Sequence, residues 1–518
     1  MLIPLVMLPI GNLAWRAAAP QGAPSLDTAL AVLRDRAIWD SLVVTTGQAT
    51  LSTLLAAAIG LPLAYLLSQF RFPGDALLRF TATVPLILPA IVIALAFREL
   101  FALDGWLNDA VRLTGGGAVQ VGGTLWAVVA AHGCFGVAVF VRVVGDAWAR
   151  LDPRGEEAAR VLGATRRRSF RHVTLPQLLP AVRVASALVF AASLTSLAAV
   201  LLLGGPGLET IEVKIYRLVA GGGSLSYAAA LAAIQLVVTM IVIERGGAVP
   251  GRRVTTTAAR GSARPLSQAS WRERLVALLA VLAVLLLTVA PIAALIAAAV
   301  VRGAGLDDGT LRALRWSLAF AAGAAPIAVG VGVLAGIAAA RAEGRRGALL
   351  RRLLAMPLAV TACALAVGYL ATFDGGVAAL RGTPWLVLLA HATIAMPVVL
   401  RPVAHAVRGV VRARAEAAAT LGAGSVRAWV LVAAPQVVRA VVVGALFAFT
   451  VSLGELGAAL LLRGPGFTTA PVAILDALGT GNAAPPGPAL ALAVILISVA
   501  VVAFVFIEQL RSRDAGEY

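Results

Sequence analysis

The chain repeats itself. Residues 157–164 read EAARVLGA and residues 416–423 read EAAATLGA, 259 positions apart. At the same offset His132 falls on His391, Arg142 on Arg401, Pro176 on Pro435, Ser193 on Ser452, Pro206 on Pro465 and Thr210 on Thr469. No gap is needed across this stretch. The repeat points to two like halves, each with one copy of whatever the Glu-Ala-Ala loop does.

Those halves are built for lipid. Of the 518 residues 60% are hydrophobic and 13% charged, whereas a soluble domain is roughly 45–50% apolar and about a quarter charged. The apolar residues gather in runs long enough to cross a hydrocarbon core of roughly 30 Å as helices. Helix is the expected form because lipid offers no partner to an unpaired backbone group. The runs fall near 2–15, 41–67, 78–102, 122–148, 178–203 and 226–243, then near 274–301, 313–340, 349–372, 382–407, 436–462 and 487–507. The first is short, a tilted or partial span. The predicted domains are a first transmembrane unit over 1–244, a cytoplasmic linker over 245–273 and a second unit over 274–518.

The net charge of +18 is arginine in the loops, and Lys214 is the sole lysine. This argues against a nucleic-acid partner, since no long basic tail is present. Arginines cluster after spans two, four, six, eight and ten, so those loops are predicted to face the cytoplasm. Both Glu-Ala-Ala loops are among them. The linker, rich in Gly, Arg, Ser and Thr, reads as a flexible tether. It joins two six-span units from one side, which makes them parallel repeats. Cys134 and Cys363 lie in apolar runs and read as small buried hydrophobes. The four histidines have no metal-ligand spacing, and no catalytic or metal residues are assigned.

The repeated loop has a physical reading. Asp152 can cap a helix whose first position is Pro153. Glu156 and Glu157 then sit at the positive end of its dipole. Ala158, Val161 and Leu162 share one face, and Gly163 suits a left-handed stop. The second copy sets Ala417, Thr420 and Leu421 on the matching face and Gly422 at the stop. A short helix with a narrow small-residue stripe can enter a groove on another protein.

This loop, followed by Leu175-Pro176 in one half and Ala434-Pro435 in the other, resembles the signature of permease subunits of ABC importers. Ala434 departs mildly from that pattern, where a larger apolar residue is usual. The resemblance implies an all-α membrane protein, with about twelve transmembrane helices as two parallel six-helix repeats of the type I ABC importer permease fold. It implies that Glu157, Ala158, Ala159 and Gly163 contact one ATPase subunit, and that Glu416, Ala417, Ala418 and Gly422 contact a second copy. A periplasmic or lipid-anchored solute-binding protein would deliver cargo to this multi-pass protein of a prokaryotic cytoplasmic membrane. The chain lacks the Gly-Lys-Ser/Thr of a phosphate-binding loop, so it carries no cofactor and ATP is expected on the partner.

The fused arrangement is similar to the thiamine and ferric-iron permeases. Residues 203–216 (LGGPGLETIEVKIY) and 452–457 (SLGELG) are more like the thiamine type. Glu455 is the most informative charge inside a span, because a charge at mid-bilayer costs about 2.5–3.5 kcal/mol on insertion scales. It is read as lining the pathway beside Ser193 and Ser452 and favouring a cation such as thiamine; an interhelical hydrogen bond is the other reading. Arg98 and Glu99 are read as interfacial or paired with each other, and Arg142 and Arg401 as reaching for headgroups. His132 and His391 are read as satisfied packing histidines, and Pro85 and Pro357 as kinks. An ion-coupled secondary transporter is the rival class, but residues 68–75 (SQFRFPGD) lack its basic loop string. A membrane-embedded enzyme would need a paired-carboxylate, His-Glu or Ser-His constellation.

Overall fold

The computed structural model describes residues 6–19, 34–246, 264–303, 305–342, 344–373, 380–407, 417–418, 420–422, 424, 427, 430–431, 434–479 and 487–516. The first half contains α1 (Leu8–Ala18), α2 (Arg36–Gln69), β1 (Phe70–Arg71), α3 (Asp75–Thr83), α4 (Ala90–Leu100), α5 (Trp106–Leu113) and α6 (Leu125–Trp148). It continues with α7 (Arg154–Val161), α8 (Arg166–Leu194), α9 (Ala198–Leu203), α10 (Ile211–Ala220) and α11 (Leu225–Arg245). After β2 (Arg264–Pro265), the second half contains α12 (Trp271–Arg302), α13 (Asp308–Arg341), α14 (Gly344–Ala355), α15 (Ala362–Phe373) and α16 (Pro384–His405). It closes with α17 (Ala434–Leu453), α18 (Gly457–Leu462), α19 (Ala470–Gly479) and α20 (Gly487–Gly516).

The halves repeat in detail. Each opens a 34-residue helix on an aspartate cap: Asp35 accepts from the Ala37 N–H at 2.9 Å, and Asp307 from the Thr310 N–H at 2.7 Å. Each cap satisfies a donor that the first turn would otherwise leave free. The ends of α8, α9 and α10 recur in α17, α18 and α19 at the 259-residue offset. Within that stretch Thr45 Oγ1 accepts from the Ile211 N–H at 3.0 Å, and Ser317 Oγ accepts from the Ala470 N–H at 2.7 Å. A hydroxyl on each long helix therefore holds the start of a short helix inside the same half.

Among the described residues, eight helices are long and apolar enough to cross a membrane, or nine if α3 and α4 count as one span bent by 110°. The twelve expected spans do not all appear as single long helices among the described residues, for identifiable reasons. Pro85 in the turn Val84–Leu86 and Pro89 before α4 break span three, because proline cannot donate the helical hydrogen bond. Pro357 sits in the matching turn Met356–Leu358, leaving α15 only 12 residues. Spans five and eleven were expected to run to 203 and 462 but stop at Leu194 and Leu453. In the second half the break falls at Gly454, which packs on Pro89 with no room for a Cβ. The short first run becomes α1, of 11 residues.

Each half lends its opening helix to the other. In α1, the Asn12 amide donates to Thr372 Oγ1 at 3.0 Å, and the Pro9 carbonyl presses on Gly368, where a Cβ would not fit. Conversely α12 lies along the first half, with Ala277, Ala280 and Val284 packed among Leu63, Leu67 and Phe70. The end of the linker is ordered rather than tether-like. β2 pairs in parallel with β1, the Arg264 guanidinium stands 5.5 Å over the Phe70 ring, and Ser270 and Glu273 form a reciprocal capping box at the start of α12. Residues 247–263 lie outside the described residues.

Candidate coupling loops and membrane-interior site

The first loop folds as its residues dictate. Asp152 Oδ1 accepts from the Arg154 N–H at 3.0 Å, and the helix that follows, α7, buries none of its residues. Gly163 stops it at φ +86°, and Gly422 takes φ +81° in the second copy. Side chains pay a steric penalty there that glycine avoids. Val161 and Leu162 are each 88% exposed, as is Leu421 in the second copy. Glu157 and Ala158 are exposed and Ala159 is half-buried. In the second copy Ala417 is exposed, Ala418 is half-buried and Glu416 lies outside the described residues. The first half thus presents bare apolar side chains at the tip of a short helix, the form a groove on a partner can take up.

Behind that tip the first loop is anchored. Ser169 Oγ donates to the Glu156 carbonyl at 3.3 Å, and Thr174 Oγ1 donates to the Glu156 carboxylate at 3.3 Å. Phe170 stacks on Trp148 with centroids 6.1 Å apart, and Trp148 meets Tyr65 at 5.2 Å. Tyr65 then donates to Glu273 Oε1 at 2.9 Å.

The repeated polar residues meet inside the membrane. His391 Nδ1 is 2.9 Å from Ser452 Oγ, and its Nε2 is 3.4 Å from Glu455 Oε2. Glu455 also accepts from the Ala458 and Ala459 N–H groups, at 3.0 Å each, and so caps α18. It is 8% exposed. In the first half His132 Nδ1 contacts Gln48 Oε1 at 3.0 Å, and the Gln48 amide donates to the Ser193 carbonyl at 2.6 Å. Both histidines are therefore hydrogen-bonded, and His391 touches the acid that the sequence had set apart from it.

Three charges sit differently from their sequence reading. Glu99 does not pair with Arg98; it meets Arg302 of α12 at 2.7 Å, and Arg302 also lies 3.9 Å from Asp104. Arg142 pairs with Glu508 of α20 at 3.0 Å and with Asp146 at 3.8 Å rather than standing free for a headgroup. The sequence reading missed Glu212, placed in a loop but wholly buried in α10. Its signal was the repeated Thr210 and Thr469. Thr210 is the N-cap of α10, its side chain accepting from the Val213 N–H. Among the described residues no cluster of His, Cys, Asp or Glu has the geometry to hold a metal ion.

Two repeated halves of long apolar helices, with a bare loop tip in the first, define a multi-pass membrane protein. The chain belongs to the family of binding-protein-dependent transport system inner membrane components, which matches residues 56–246 and 332–513. It is accordingly an inner-membrane permease of a bacterial ABC importer, with no catalytic role of its own and with ATP bound by ATPase partners. That membership sets aside the ion-coupled class. It is 32% identical to the sulfate transport system permease protein CysT of Salmonella typhimurium over 40% of this chain and 77% of that one. It is 31% identical to the molybdenum transport system permease protein ModB of Escherichia coli over 39% of this chain and 89% of that one. The thiamine transport system permease protein ThiP of Escherichia coli is 26% identical over 88% of this chain and 86% of its own.

Proposed function

We propose that the chain is a type I permease that imports a small organic cation, thiamine being the best candidate, handed over by a solute-binding protein. Two copies of an ATPase subunit dock on Glu157, Ala158, Ala159 and Gly163 and on Glu416, Ala417, Ala418 and Gly422. Their closure on ATP would move both loops and rock the halves between outward- and inward-open states. The permease unit would comprise the two halves, 1–244 and 274–518, with 245–273 as linker; α9, α10, α18 and α19 would complete the spans that their long neighbours leave short. A ferric-iron or other small-solute cargo is the alternative.

The observation that carries the cargo assignment is Glu455, a buried acid beside Ser452 and His391 where the halves converge. A carboxylate held in a low dielectric repels anions and favours cations. The sulfate and molybdenum relatives align over 40% and 39% of this chain, whereas the thiamine relative aligns over 88% of it. Ser193 lies at the repeat-related place in the first half.

The test is uptake by the reconstituted permease, ATPase and binding protein. Thiamine is expected to enter and sulfate to stay out. Glu455→Gln should cut uptake at least tenfold while the ATPase still co-purifies; undiminished uptake would remove Glu455 from the pathway.

A further inference from the structure

Glu212 is a second interior carboxylate. It stands in the first turn of α10, is 0% exposed, and crosses to the other half. Its Oε1 accepts from the Cys363 N–H of α15 at 3.2 Å. Its Oε2 makes no hydrogen bond of good geometry among the described residues, although Cys363, Thr361 and Gln235 all stand close enough to bond the carboxyl weakly. Gln235, also 0% exposed, donates its amide to the Leu194 carbonyl at 3.2 Å and leaves its own Oε1 equally without a donor.

Glu455 comes to the same place from the other side. A Cβ on Gly457 would lie 3.5 Å from Cys363 Sγ and 3.6 Å from Glu455 Oε1, and the Cys363 thiol feels the charge of both Glu455 and Glu212. The three helix starts that meet here, of α10, α15 and α18, all follow breaks in membrane segments. The place therefore holds two carboxylates and two acceptor oxygens that lack donors. Buried polar groups are nearly always matched, and an unmatched one costs about 1–3 kcal/mol, more if charged. Two facing acceptors can share a proton, with Glu212 neutral, or can take a donor that carries positive charge. An oxyanion would add acceptors to acceptors.

We propose that Glu212 and Glu455 form a cation-selecting pair at the contact between the halves, with Gln235 Oε1 orienting an organic cation that carries N–H donors. The proposal rests on the pathway reading of Glu455 and extends it to Glu212, which selects the class of solute. Its bland rival is a structural role alone, in which Glu212 merely ties α10 to α15.

Cys363 reports on the site without any knowledge of the cargo. The complete complex, with Cys134→Ser so that Cys363 is the only thiol of the permease, is turned over with ATP. It is treated with a trimethylammonium or a sulfonate methanethiosulfonate of like size. Charge focusing in a cleft changes encounter rates by about 10-fold or more, so the cationic reagent is expected to label Cys363 at least tenfold faster once each rate is divided by that of the same reagent with a free thiol in solution. Glu212→Gln keeps an oxygen for the Cys363 N–H and removes the charge, so the chain should assemble while the preference falls to within about threefold, given that focusing. A preference unchanged by Glu212→Gln, equal rates in the parent, or a thiol that never reacts during turnover would each overturn the proposal. Failure of thiamine uptake with the reagent preference intact would refute the cargo and leave the selecting pair standing.

Discussion

Glu273 and Arg166 meet at 2.5 Å, tying the first turn of the second half to the base of the first coupling loop. Tyr65 joins them at 2.9 Å from Glu273 and 3.1 Å from Arg166. Counted from the aspartate caps of the two 34-residue helices, Ile337 stands in place of Tyr65, and at the 259-residue offset Ser425 stands in place of Arg166. The two loops are alike in sequence, but the residues that make this brace in the first are not repeated in the second. Hydrogen bonds to charged groups contribute about 1.5–3 kcal/mol each, though part-exposed ones fall at the lower end. Glu273→Ala should therefore lower the stability of the purified permease by about 1–3 kcal/mol in thermal unfolding. Arg166→Ala should add little on top, since both remove one shared contact. Full additivity of the two would argue that they act apart.

The coupling glycines can be tested together. Gly163→Pro combined with Gly422→Pro is expected to abolish recovery of the ATPase subunits on the tagged permease, with the permease still present in the membrane. Each position has a positive φ, which proline cannot adopt. Gly163→Ala should be milder, costing about 1 kcal/mol of local conformational strain. Retention of the ATPase by the double proline variant would refute the docking role.

Arg302 is the cation that satisfies Glu99, whose side chain is 4% exposed. Breaking a buried pair from one side leaves an uncompensated charge and costs about 3–5 kcal/mol. Arg302→Met should thus be strongly destabilising in detergent, and Glu99→Gln with Arg302→Met should recover most of the loss. If the double variant is as poor as the single, packing of the arginine stem rather than charge is at stake.

Thr45 and Ser317 offer a matched pair of cap deletions. Thr45→Val and Ser317→Ala each remove the acceptor that starts a short interior helix. Each should cost about 0.5–2 kcal/mol, and amide exchange at Ile211 or Ala470 should quicken in the half that was altered. Exchange quickening in the other half would indicate that the caps act between halves.

Much of this architecture was legible from residue order. The 259-residue repeat marked the two halves, and Asp152, Pro153 and Gly163 marked the exposed helix α7 at both ends. What stayed hidden depends on contacts that periodicity does not carry. The apolar run 178–203 gave no sign of stopping at Leu194, because α9 is as apolar as α8 and only the tertiary packing separates them. Residues 204–220 looked like a loop because Gly204, Gly205, Pro206 and Gly207 precede a helix with two glutamates and a lysine close by. The burial of Glu212 against Cys363 joins positions 151 apart, and that of Glu99 against Arg302 joins positions 203 apart. The Glu455–His391 contact was accessible in part, since both residues had been singled out, but nothing in their spacing placed them side by side.

The exchange of opening helices bears on how the chain is made. The first half leaves the ribosome earlier, yet the flank of α2 that α12 covers, at Leu63 and Leu67, stays bare until the second half begins to enter the bilayer. Maturation of the earlier-born half must wait for its later-born sibling, and a nascent chain halted before residue 271 would carry an unfinished lipid-facing seam.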